Sequence, residues 1–359
     1  MKVKLTEICT PKQWKTIPAN ELLDEGYPVY GANGIIGYYD KYNHENPVVT
    51  ITCRGATCGT VNITEPKSYI TGNAMCLDNV RPDILLEYLY YCLLHYDFSN
   101  VISGSAQPQI TRQGLEKVKI AICSIEEQNK RTSSLRKIST VIAARQQQLQ
   151  KLDELVKARF IELFGDMFLN SKAWKKQALD SLADVVSGIT KGRKTKEPQL
   201  IEVPYMAVSN VKDGYIDWTT VKTIQATQQE IEQYRLLPDD VLMTEGGDPD
   251  KLGRGAILKE PLQNCIHQNH IFRVRLNESL ILPAFFEEYL KHQKAKRYFL
   301  GCAKQTTGIA SINMRQLKAL PVLLPPLELQ EQFAAFVEQT DKSKVAVQKA
   351  LDEAQLLFD

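Results

Sequence analysis

Two pairs of side chains that could hold a metal ion stand close together in the sequence. Cys53 and Cys58 enclose four residues, and His267 and His270 enclose two residues of a strand-like run. A zinc site of this kind usually needs a second pair of ligands at a matching spacing, and no such pair stands nearby. We therefore expect both pairs to be structural, and we expect no metal site in the chain.

The motifs of familiar enzymes are equally incomplete. The run GGDPDKLGRG (246–255) lacks the Gly-Lys-Ser/Thr ending of a phosphate-binding loop, so we expect a plain flexible loop there. The run LFGD (163–166) is accompanied by no other kinase motif, and the chain has no HExxH. It also lacks an Asn-Pro-Pro-Tyr segment, which an adenine methyltransferase would need to hold a flipped base. We therefore predict a chain without catalysis of its own.

What remains are polar loops, punctuated by glycine, whose side chains can hydrogen-bond to base edges or to phosphates. Arginine favours guanine, asparagine and glutamine favour adenine, and a lysine-rich loop such as 187–198 suits phosphates. One such residue alone is most often only solvated, but matched loops in two halves of a chain favour DNA recognition. The candidate DNA-binding residues are Tyr30, Asn33, Lys41, Arg54, Thr57, Asn73, Ser105, Gln107, Gln109, Arg112, Lys191, Arg193, Lys194, Lys196, Asn210, Arg254, Asn269, Lys304, Gln305, Thr307, Asn313 and Arg315.

The composition fits a globular chain with more than one core. The chain has 359 residues, of which 43% are hydrophobic and 24% charged, and this length suits two or more domains. Eight scattered cysteines, a start without a signal-peptide core and no apolar run longer than 85–94 predict a cytoplasmic protein with no membrane partner. The net charge is −1 over 1–124, +3 over 125–165, +4 over 166–326 and −4 over 327–359, which permits a polyanionic partner without requiring one.

The elements that must position these loops occur twice along the chain. With a shift of 202 residues, AICSIEEQNK (121–130) lies over LLPPLELQEQ (323–332), and Gln128 meets Gln330. Such self-similarity indicates a duplicated architecture. We expect this junction to fix where each globule meets its long helix rather than to contact bases.

Further upstream, a shift of 196 residues brings the two halves together. It pairs Gly59 with Gly255 and Asn73 with Asn269. Each copy should therefore contain a β-rich globule, an apolar helix, a polar loop, a short strand and a long helix.

The two long helices have clear ends in the sequence. The first should begin after Ser124, a good N-cap, and end at Gly165, which gives about 60 Å at 1.5 Å per residue. The second should begin after Pro325 and Pro326. Heptad-spaced apolar residues predict that the two helices form an antiparallel coiled coil. Its expected seam consists of Leu135, Ile138, Ile142, Leu149, Leu152, Val156, Phe333, Val337, Val347 and Leu351.

Four segments make the whole chain resemble the specificity subunit of a Type I restriction–modification system. They are GYPVYGANGIIGYYDKY (26–42), LQKLDELVKARFIELFGD (149–166), PLELQEQFAAFVEQTD (326–341) and QKALDEAQLLFD (348–359). The resemblance implies an α+β fold with two pseudo-symmetric, β-rich target-recognition domains separated by two long antiparallel helices. The expected limits are 1–124 and 166–326 for the two domains, and 125–165 and 327–359 for the spacer helices.

The resemblance also implies a function and partners. Each domain would read one half of a split site in double-stranded DNA, and the helices would act as a ruler and dock two modification subunits. Those subunits would bind S-adenosylmethionine and methylate adenine, and restriction (translocase) subunits would join for cleavage. The chain itself would bind no cofactor.

Two other readings stay open at this level. The chain could be a coiled-coil adaptor that binds only proteins, and salt-dependent DNA binding would separate this from the first reading. A nuclease is a weaker alternative, which any specific cleavage by the pure chain would support. The short second helix leaves open whether the end of the chain closes against its beginning.

Overall fold

The chain folds into two compact units in a computed structural model that describes residues 2–32, 34–104, 107–193, 199–306 and 308–358. Unit 1 comprises Met1–Gln146 and Lys349–Asp359, and unit 2 comprises Gln147–Gln348. The predicted division into target-recognition domains at 124 and 326 stays a prediction, because the unit limits fall inside the long helices.

Unit 1 is built around a four-stranded antiparallel sheet with the order β2-β8-β5-β6. A second sheet, β4-β3-β7, pairs β3 antiparallel with β4 and parallel with β7, while β1-β11 and β9-β10 are two-stranded. The strands are β1 (Lys2–Lys4), β2 (Thr10–Gln13), β3 (Tyr27–Gly31), β4 (Gly34–Tyr39), β5 (Val49–Thr52), β6 (Val61–Ile63), β7 (Tyr69–Ile70), β8 (Ala74–Asp78), β9 (Ile102–Ser103), β10 (Gln109–Ile110) and β11 (Lys119–Ala121). The helices that lie wholly in this unit are α1 (Leu5–Ile8), α2 (Leu86–Leu94) and α3 (Arg112–Leu115), and α4 (Ile125–Phe164) begins here.

Unit 2 repeats this plan of sheets and differs in its short helices. Its sheets have the orders β13-β20-β16-β18, β15-β14-β19, β12-β23 and β17-β22-β21. The strands are β12 (Lys175–Ala178), β13 (Ala183–Ser187), β14 (Ile201–Met206), β15 (Lys222–Ala226), β16 (Asp240–Thr244), β17 (Gly246–Gly247), β18 (Gly255–Leu258), β19 (Ile266–His267), β20 (Ile271–Leu276), β21 (Lys304–Thr306), β22 (Ile309–Ser311) and β23 (Pro321–Leu324). The helices are α5 (Gln228–Tyr234), α6 (Pro283–Lys291), α7 (Gln293–Cys302), α8 (Met314–Lys318) and the beginning of α9 (Leu327–Phe358). Among the described residues of unit 1, α5 and α7 have no α-helical counterpart.

Backbone hydrogen bonds correct the upstream alignment of the two copies. Thr52 N donates to Thr60 O over 2.8 Å, and Thr244 N donates to Arg254 O over 3.3 Å. Thr52 therefore corresponds to Thr244 with a shift of 192, and Thr60 corresponds to Arg254 with a shift of 194. The expected pairing of Gly59 with Gly255 is therefore wrong.

Gly59 corresponds instead to Gly253, and the two glycines share a conformation. Their φ angles are +97° and +76°, and each lies against a phenylalanine ring, Phe98 or Phe299. The run 246–255 starts with β17, contains a 3-10 turn at Pro249–Lys251 and ends at the first residue of β18.

The ends of the long helices are as predicted. Ser124 caps α4, because its Oγ accepts a hydrogen bond from Glu127 N over 3.3 Å, and Gly165 follows the last turn with a φ of +75°. Pro325 and Pro326 directly precede α9. The α+β fold with long helices is confirmed.

In unit 2, the second part of α4 packs antiparallel to the first part of α9. The ring centroids of Phe160 and Phe333 lie 5.3 Å apart, and farther along Lys344 Nζ lies 2.7 Å from Asp153 Oδ1. Phe164 also contacts Phe333, so aromatic rings that the seam prediction omitted form the firmest part of this contact. Of the predicted seam residues, Val156, Phe333 and Val347 are buried, whereas Leu135, Ile138, Ile142, Leu149, Leu152, Val337 and Leu351 are half-buried.

A buried glutamine near the start of each long helix binds the helix to the unit in which it begins. Gln128 accepts a hydrogen bond from Leu85 N over 2.9 Å and donates to the carbonyl oxygens of Asp83 and Cys123 over 2.9 and 3.0 Å. Because its side chain is fully buried, these bonds stand in for water that cannot reach the loop before α2.

Gln330 makes the same three bonds in unit 2. It accepts from Leu282 N over 2.9 Å and donates to the carbonyl oxygens of Leu280 and Pro325 over 3.2 and 2.9 Å. The junction that is repeated in the sequence is therefore repeated as a set of hydrogen bonds, which we call the latch. It holds the start of α4 against the start of α2, and the start of α9 against the start of α6.

The last turn of α9 belongs to unit 1. There His95 Nε2 lies 2.6 Å from the carbonyl oxygen of Phe358, and the rings of Tyr91 and Phe358 lie 6.1 Å apart. The short second helix therefore does reach α2 of the first unit. Within the described residues, we find no helix with both the length and the apolar character that a membrane span requires.

Candidate nucleic-acid interface

Several loops of unit 1 meet at one end of its main sheet, around Cys53. Cys53 N donates to Asn73 O, and Ile110 N donates to Cys53 O, each over 3.0 Å. Arg54 forms a β-bridge with Gln109. These bonds bring the turn before β8, the loop after β5 and the β9–β10 hairpin to one place.

The turn between β3 and β4 reaches the same place. Thr52 Oγ1 donates to Ala32 O over 2.6 Å. Five predicted DNA-binding residues are therefore grouped at this end of the sheet with exposed side chains, and we call this group surface 1. Surface 1 consists of Arg54, Thr57, Asn73, Gln107 and Gln109.

The other described candidates of unit 1 lie elsewhere. Tyr30 is buried, and its hydroxyl accepts a hydrogen bond from Glu65 N over 3.1 Å, so its prediction as a DNA contact is wrong. Lys41 is exposed but follows β4 at the end of the hairpin away from its turn, and Arg112 is exposed at the start of α3.

The corresponding place in unit 2 is centred on Glu245. Glu245 N donates to His270 O over 2.9 Å, and Ile312 N donates to Glu245 O over 2.8 Å, which repeats the bonds around Cys53. His270 thus corresponds to Asn73, so the sequence pairing of Asn73 with Asn269 is wrong by one residue.

Glu245 and His270 form a hydrogen-bonded pair that sequence reasoning missed. His270 Nδ1 lies 2.5 Å from Glu245 Oε2, and both side chains are partly exposed. The two residues are 25 positions apart, and no local sequence pattern indicates that they are in contact. Carboxylate, imidazole and thiol side chains differ in hydrogen-bonding ability, and the two units therefore present different chemistry at equivalent positions.

Several predicted residues of unit 2 surround this pair, and we call them surface 2. Lys304 begins the β21–β22 hairpin, Arg254 lies beside Thr244, and Asn269 precedes His270. Lys191 follows Ile189, whose carbonyl oxygen accepts a hydrogen bond from Asn269 N over 3.0 Å. Lys191 and Lys304 are exposed, whereas Arg254 and Asn269 are half-buried.

Asn313 and Arg315 belong to the start of α8. Asn313 is exposed but caps the helix, because its Oδ1 accepts a hydrogen bond from Gln316 N over 2.9 Å. Thr111 caps α3 in the same way, which confirms that these two loops are equivalent. Arg315 is exposed.

One predicted DNA contact of unit 2 serves the fold instead. Asn210 is fully buried, and its side chain bonds to Ala207 N over 2.9 Å and to Asp217 O over 2.8 Å. It has no free polar atom to offer a base, so its prediction is wrong.

Arg193 holds Glu230 through two guanidinium nitrogens, and one of these also donates to Gln225 O over 3.1 Å. This ion pair lowers the pKa of the Glu230 carboxyl. A phosphate would have to compete with this two-pronged carboxylate contact, and Arg193 as a phosphate ligand stays a prediction. Asn33, Ser105, Lys194, Lys196 and Thr307 lie outside the described residues, as does the side chain of Gln305.

Neither pair of metal-capable residues noted in the sequence forms a ligand set. His267 is fully buried, and its ring nitrogens face the carbonyl oxygens of Tyr234 and Val186, whereas His270 is bound to Glu245. Cys53 is buried and accepts a hydrogen bond from Gln13, and burial raises the pKa values of both Cys53 and Cys58.

The buried His267 predicts a pH dependence of stability. Burial lowers its pKa to about 4, below the ordinary 6.5, so the unfolded chain takes up a proton before the folded chain does. The stability from this residue is complete above pH 6.5 and is lost as the pH falls. Between pH 7 and pH 5 we expect a loss of about 2 kcal/mol in the free energy of unfolding, measured with urea.

The variant His267→Gln isolates this effect. It should lose about 2 kcal/mol less than the unchanged chain between the two pH values, whatever its stability at pH 7. An equal loss in both proteins would show that His267 does not titrate as its burial requires.

Comparisons with known proteins agree with this geometry. A model of the Type I restriction modification DNA specificity domain matches residues 1–154 and 171–354. The MjaX specificity subunit of a type I restriction enzyme from Methanocaldococcus jannaschii is 28% identical over 180 residues, which cover 50% of this chain and 42% of that protein. The EcoKI specificity subunit of Escherichia coli K12 is 26% identical over 153 residues, which cover 42% and 33%. The chain thus spans less than half the length of these curated relatives.

Solved structures resemble the whole chain. A type I restriction–modification S subunit from M. genitalium has a TM-score of 0.62 at 16% identity, with coverage of 100% of this chain and 94% of that one. A chain from a study of assembly and conformational transition of the type I system has a TM-score of 0.56 at 16% identity, with coverage of 100% and 95%. At this identity the likeness establishes the fold alone.

Proposed function

Because the chain belongs to the Type I restriction–modification DNA specificity family, we propose that it reads a bipartite, asymmetric DNA site and scaffolds the modification subunits. The family relatives are specificity subunits, in agreement with the prediction of a non-catalytic chain. The observation that carries the proposal is the duplicated surface around Cys53 and Glu245. One backbone frame there presents two different sets of side chains.

The backbone and the exposed side chains would have different roles in recognition. The paired strands and the latched helices hold the loops in place, while exposed arginine, asparagine and glutamine side chains hydrogen-bond to base edges. The exposed Lys191 and Lys304 suit phosphates. Since exposed Asn73 corresponds to exposed His270, and buried Cys53 corresponds to the partly exposed Glu245, the two surfaces differ and the two half-sites should differ in sequence.

The long helices would set the gap between the half-sites. Helix α4 is unbroken for 40 residues, and both α4 and α9 contribute residues to unit 1 and to unit 2. A helix rises 1.5 Å per residue and B-DNA rises about 3.4 Å per base pair. Each added helical turn should therefore add about two base pairs to the gap.

The partners follow from the duplication. Two quasi-equivalent copies of one architecture offer two similar surfaces, and two identical modification subunits could each bind one of them, as in a symmetric oligomer. Those subunits, rather than this chain, would bind S-adenosylmethionine and methylate adenine. Restriction (translocase) subunits would complete the assembly, which we place in the cytoplasm.

The function is tested by mapping methylated adenines in a host that carries this chain with its modification subunit. We expect a bipartite motif with an unspecified spacer. Inserting four helix-forming residues after Gln146 in α4, together with four after Gln348 in α9, should lengthen that spacer by about two base pairs. Both helices are extended so that their register is preserved.

The control inserts four residues between Gln263 and Asn264, which are exposed in a loop of unit 2. This variant should keep the original spacer. An unchanged spacer in the helix variant would contradict the ruler but not the recognition function. The absence of any bipartite motif, with no salt-dependent DNA binding by the complex, would leave the protein-only adaptor as the better reading.

A further inference from the structure

Three side chains that can bind a metal ion meet in unit 1, away from surface 1. Cys76 and Asp78 are two residues apart on β8, so they share one face of the sheet. His44 comes from the loop between β4 and β5, and its Nε2 lies 3.0 Å from Asp78 Oδ1. The nitrogen, sulfur and carboxylate atoms all lie within 4.8 Å of one another.

The hydrogen bonds of Asn43 determine that a hydrogen lies on His44 Nδ1. Asn43 Oδ1 accepts from Ile70 N over 2.9 Å, and Asn43 Nδ2 donates to Ile70 O over 3.1 Å, so the amide cannot be turned over. Asn43 Oδ1 also lies 2.7 Å from His44 Nδ1. His44 Nδ1 must therefore carry a hydrogen, and in the neutral ring His44 Nε2 bears a lone pair.

That lone pair points at a carboxylate, and two acceptors cannot bond to each other. A hydrogen or a metal ion must therefore lie between His44 Nε2 and Asp78 Oδ1, which are 3.0 Å apart. Cys76 is fully buried beside them, whereas the side chains of His44 and Asp78 are 13% and 14% exposed. A hydrogen would explain the His44–Asp78 contact, and Cys76 also packs in the core beside Val48 and Ile70. Only a metal ion would use the convergence of all three ligand atoms.

Unit 2 has arginines at the positions that correspond to Cys76 and Asp78. Because Asn73 corresponds to His270, Cys76 on β8 corresponds to Arg273 on β20, and Asp78 corresponds to Arg275. At both positions a group that binds cations in unit 1 is replaced by a permanent cation in unit 2.

The two arginines of unit 2 are engaged by carboxylates. Arg275 binds buried Asp240 through two bonds of 2.8 Å, and Arg273 lies 2.5 Å from Asp184. The fold thus holds cationic charge on this face of the sheet in unit 2. Unit 1 supplies ligands there in place of the charge.

We propose that His44, Cys76 and Asp78 bind one divalent transition-metal ion of the zinc type in unit 1. One imidazole, one thiolate and one carboxylate suit such an ion, which takes ligands at about 2.0 to 2.3 Å. The bond from His44 Nδ1 to Asn43 is the outer contact that orients a ligating imidazole. The ion would tie the 40–48 loop to the main sheet.

The surroundings of His44 and Asp78 leave space for a fourth ligand. A cleft of about 650 Å³ opens beside them, lined in part by Lys12, Trp14 and Glu45. Lys12 is the cation that opposes metal binding most directly, but its Nζ lies 3.6 Å from the Trp14 ring centroid and is engaged there. Burial raises the pKa of the Cys76 thiol, so the incoming ion would displace the thiol proton into solvent.

The test uses the full chain, treated with a chelator and titrated with cobalt(II) as a spectroscopic substitute for zinc. We expect one equivalent to bind and to give a thiolate-to-cobalt charge-transfer band. Cys76→Ser should abolish the band, whereas the matched control Cys265→Ser should keep it. Cys265 is also a fully buried cysteine, but it lies in unit 2.

Two further variants keep the test decisive if Cys76→Ser does not fold. His44→Gln and Asp78→Asn retain the thiol, and each should weaken zinc binding by at least about tenfold, measured by competition against cobalt(II). The metal site is refuted if the band is absent, or if it is unchanged in all three variants. In that case the His44–Asp78 contact is an ordinary hydrogen bond.

Discussion

Replacing Gln330 with alanine should lower the free energy of unfolding by about 3 to 5 kcal/mol. The change leaves Leu282 N–H and the carbonyl oxygens of Leu280 and Pro325 without their side-chain partner in a buried place, and each unsatisfied group costs about 1 to 3 kcal/mol. The loss of side-chain volume adds to this cost. The measurement is denaturant unfolding followed by circular dichroism.

Gln128→Ala should have an effect of similar size, because the same three bonds are lost in unit 1. Gln332→Ala is the matched control, since Gln332 is exposed on the same helix as Gln330. Its effect should stay within about 0.5 kcal/mol. If Gln330→Ala were no more harmful than this control, the latch would not hold the helix.

The second large effect is expected at Gly253. A Cβ atom there would lie 2.2 Å from Phe299 Cδ2, and φ is +76°, so alanine would be both strained and in collision with a buried ring. We expect Gly253→Ala to lower the free energy of unfolding by more than about 3 kcal/mol, the sum of overpacking and backbone strain. Thermal and denaturant unfolding would measure it.

Gly192 offers a control at the same backbone angle. Its φ is also +76°, but an added Cβ would meet nothing within 4 Å. Gly192→Ala should therefore cost only the left-handed strain, about 1 to 2 kcal/mol. Equal effects at the two positions would mean that the contact with Phe299 relaxes freely and does not explain the glycine.

The long helices could be predicted because their signals are local. Ser124, Gly165 and the proline pair before α9 determine the helix ends through bonds and clashes within a few residues. The heptad pattern also indicated the antiparallel pairing. It did not reveal the rings of Phe160 and Phe164, which pack on Phe333 as part of the unit 2 core.

The candidate site was predicted less well, because a polar residue type does not reveal where its side chain points. Arg54 and Gln109 do lie together on an exposed surface, but Tyr30 and Asn210 are buried and bonded to backbone groups. Polar residue types that are exposed and free to contact DNA at one position stabilise the fold at another. Only the contacts of residues distant in the sequence distinguish the two uses.

The sequence by itself determined the duplication, the two long helices and the family. These depend on periodicity, caps and repeated segments, whose physical effects act over a few neighbouring residues. The tertiary structure alone decided which residues of the two copies are equivalent, such as Asn73 and His270. It also decided that His44 lies beside Cys76 and Asp78. Strand register and long-range hydrogen bonds place such residues together, and no spacing along the chain encodes that proximity.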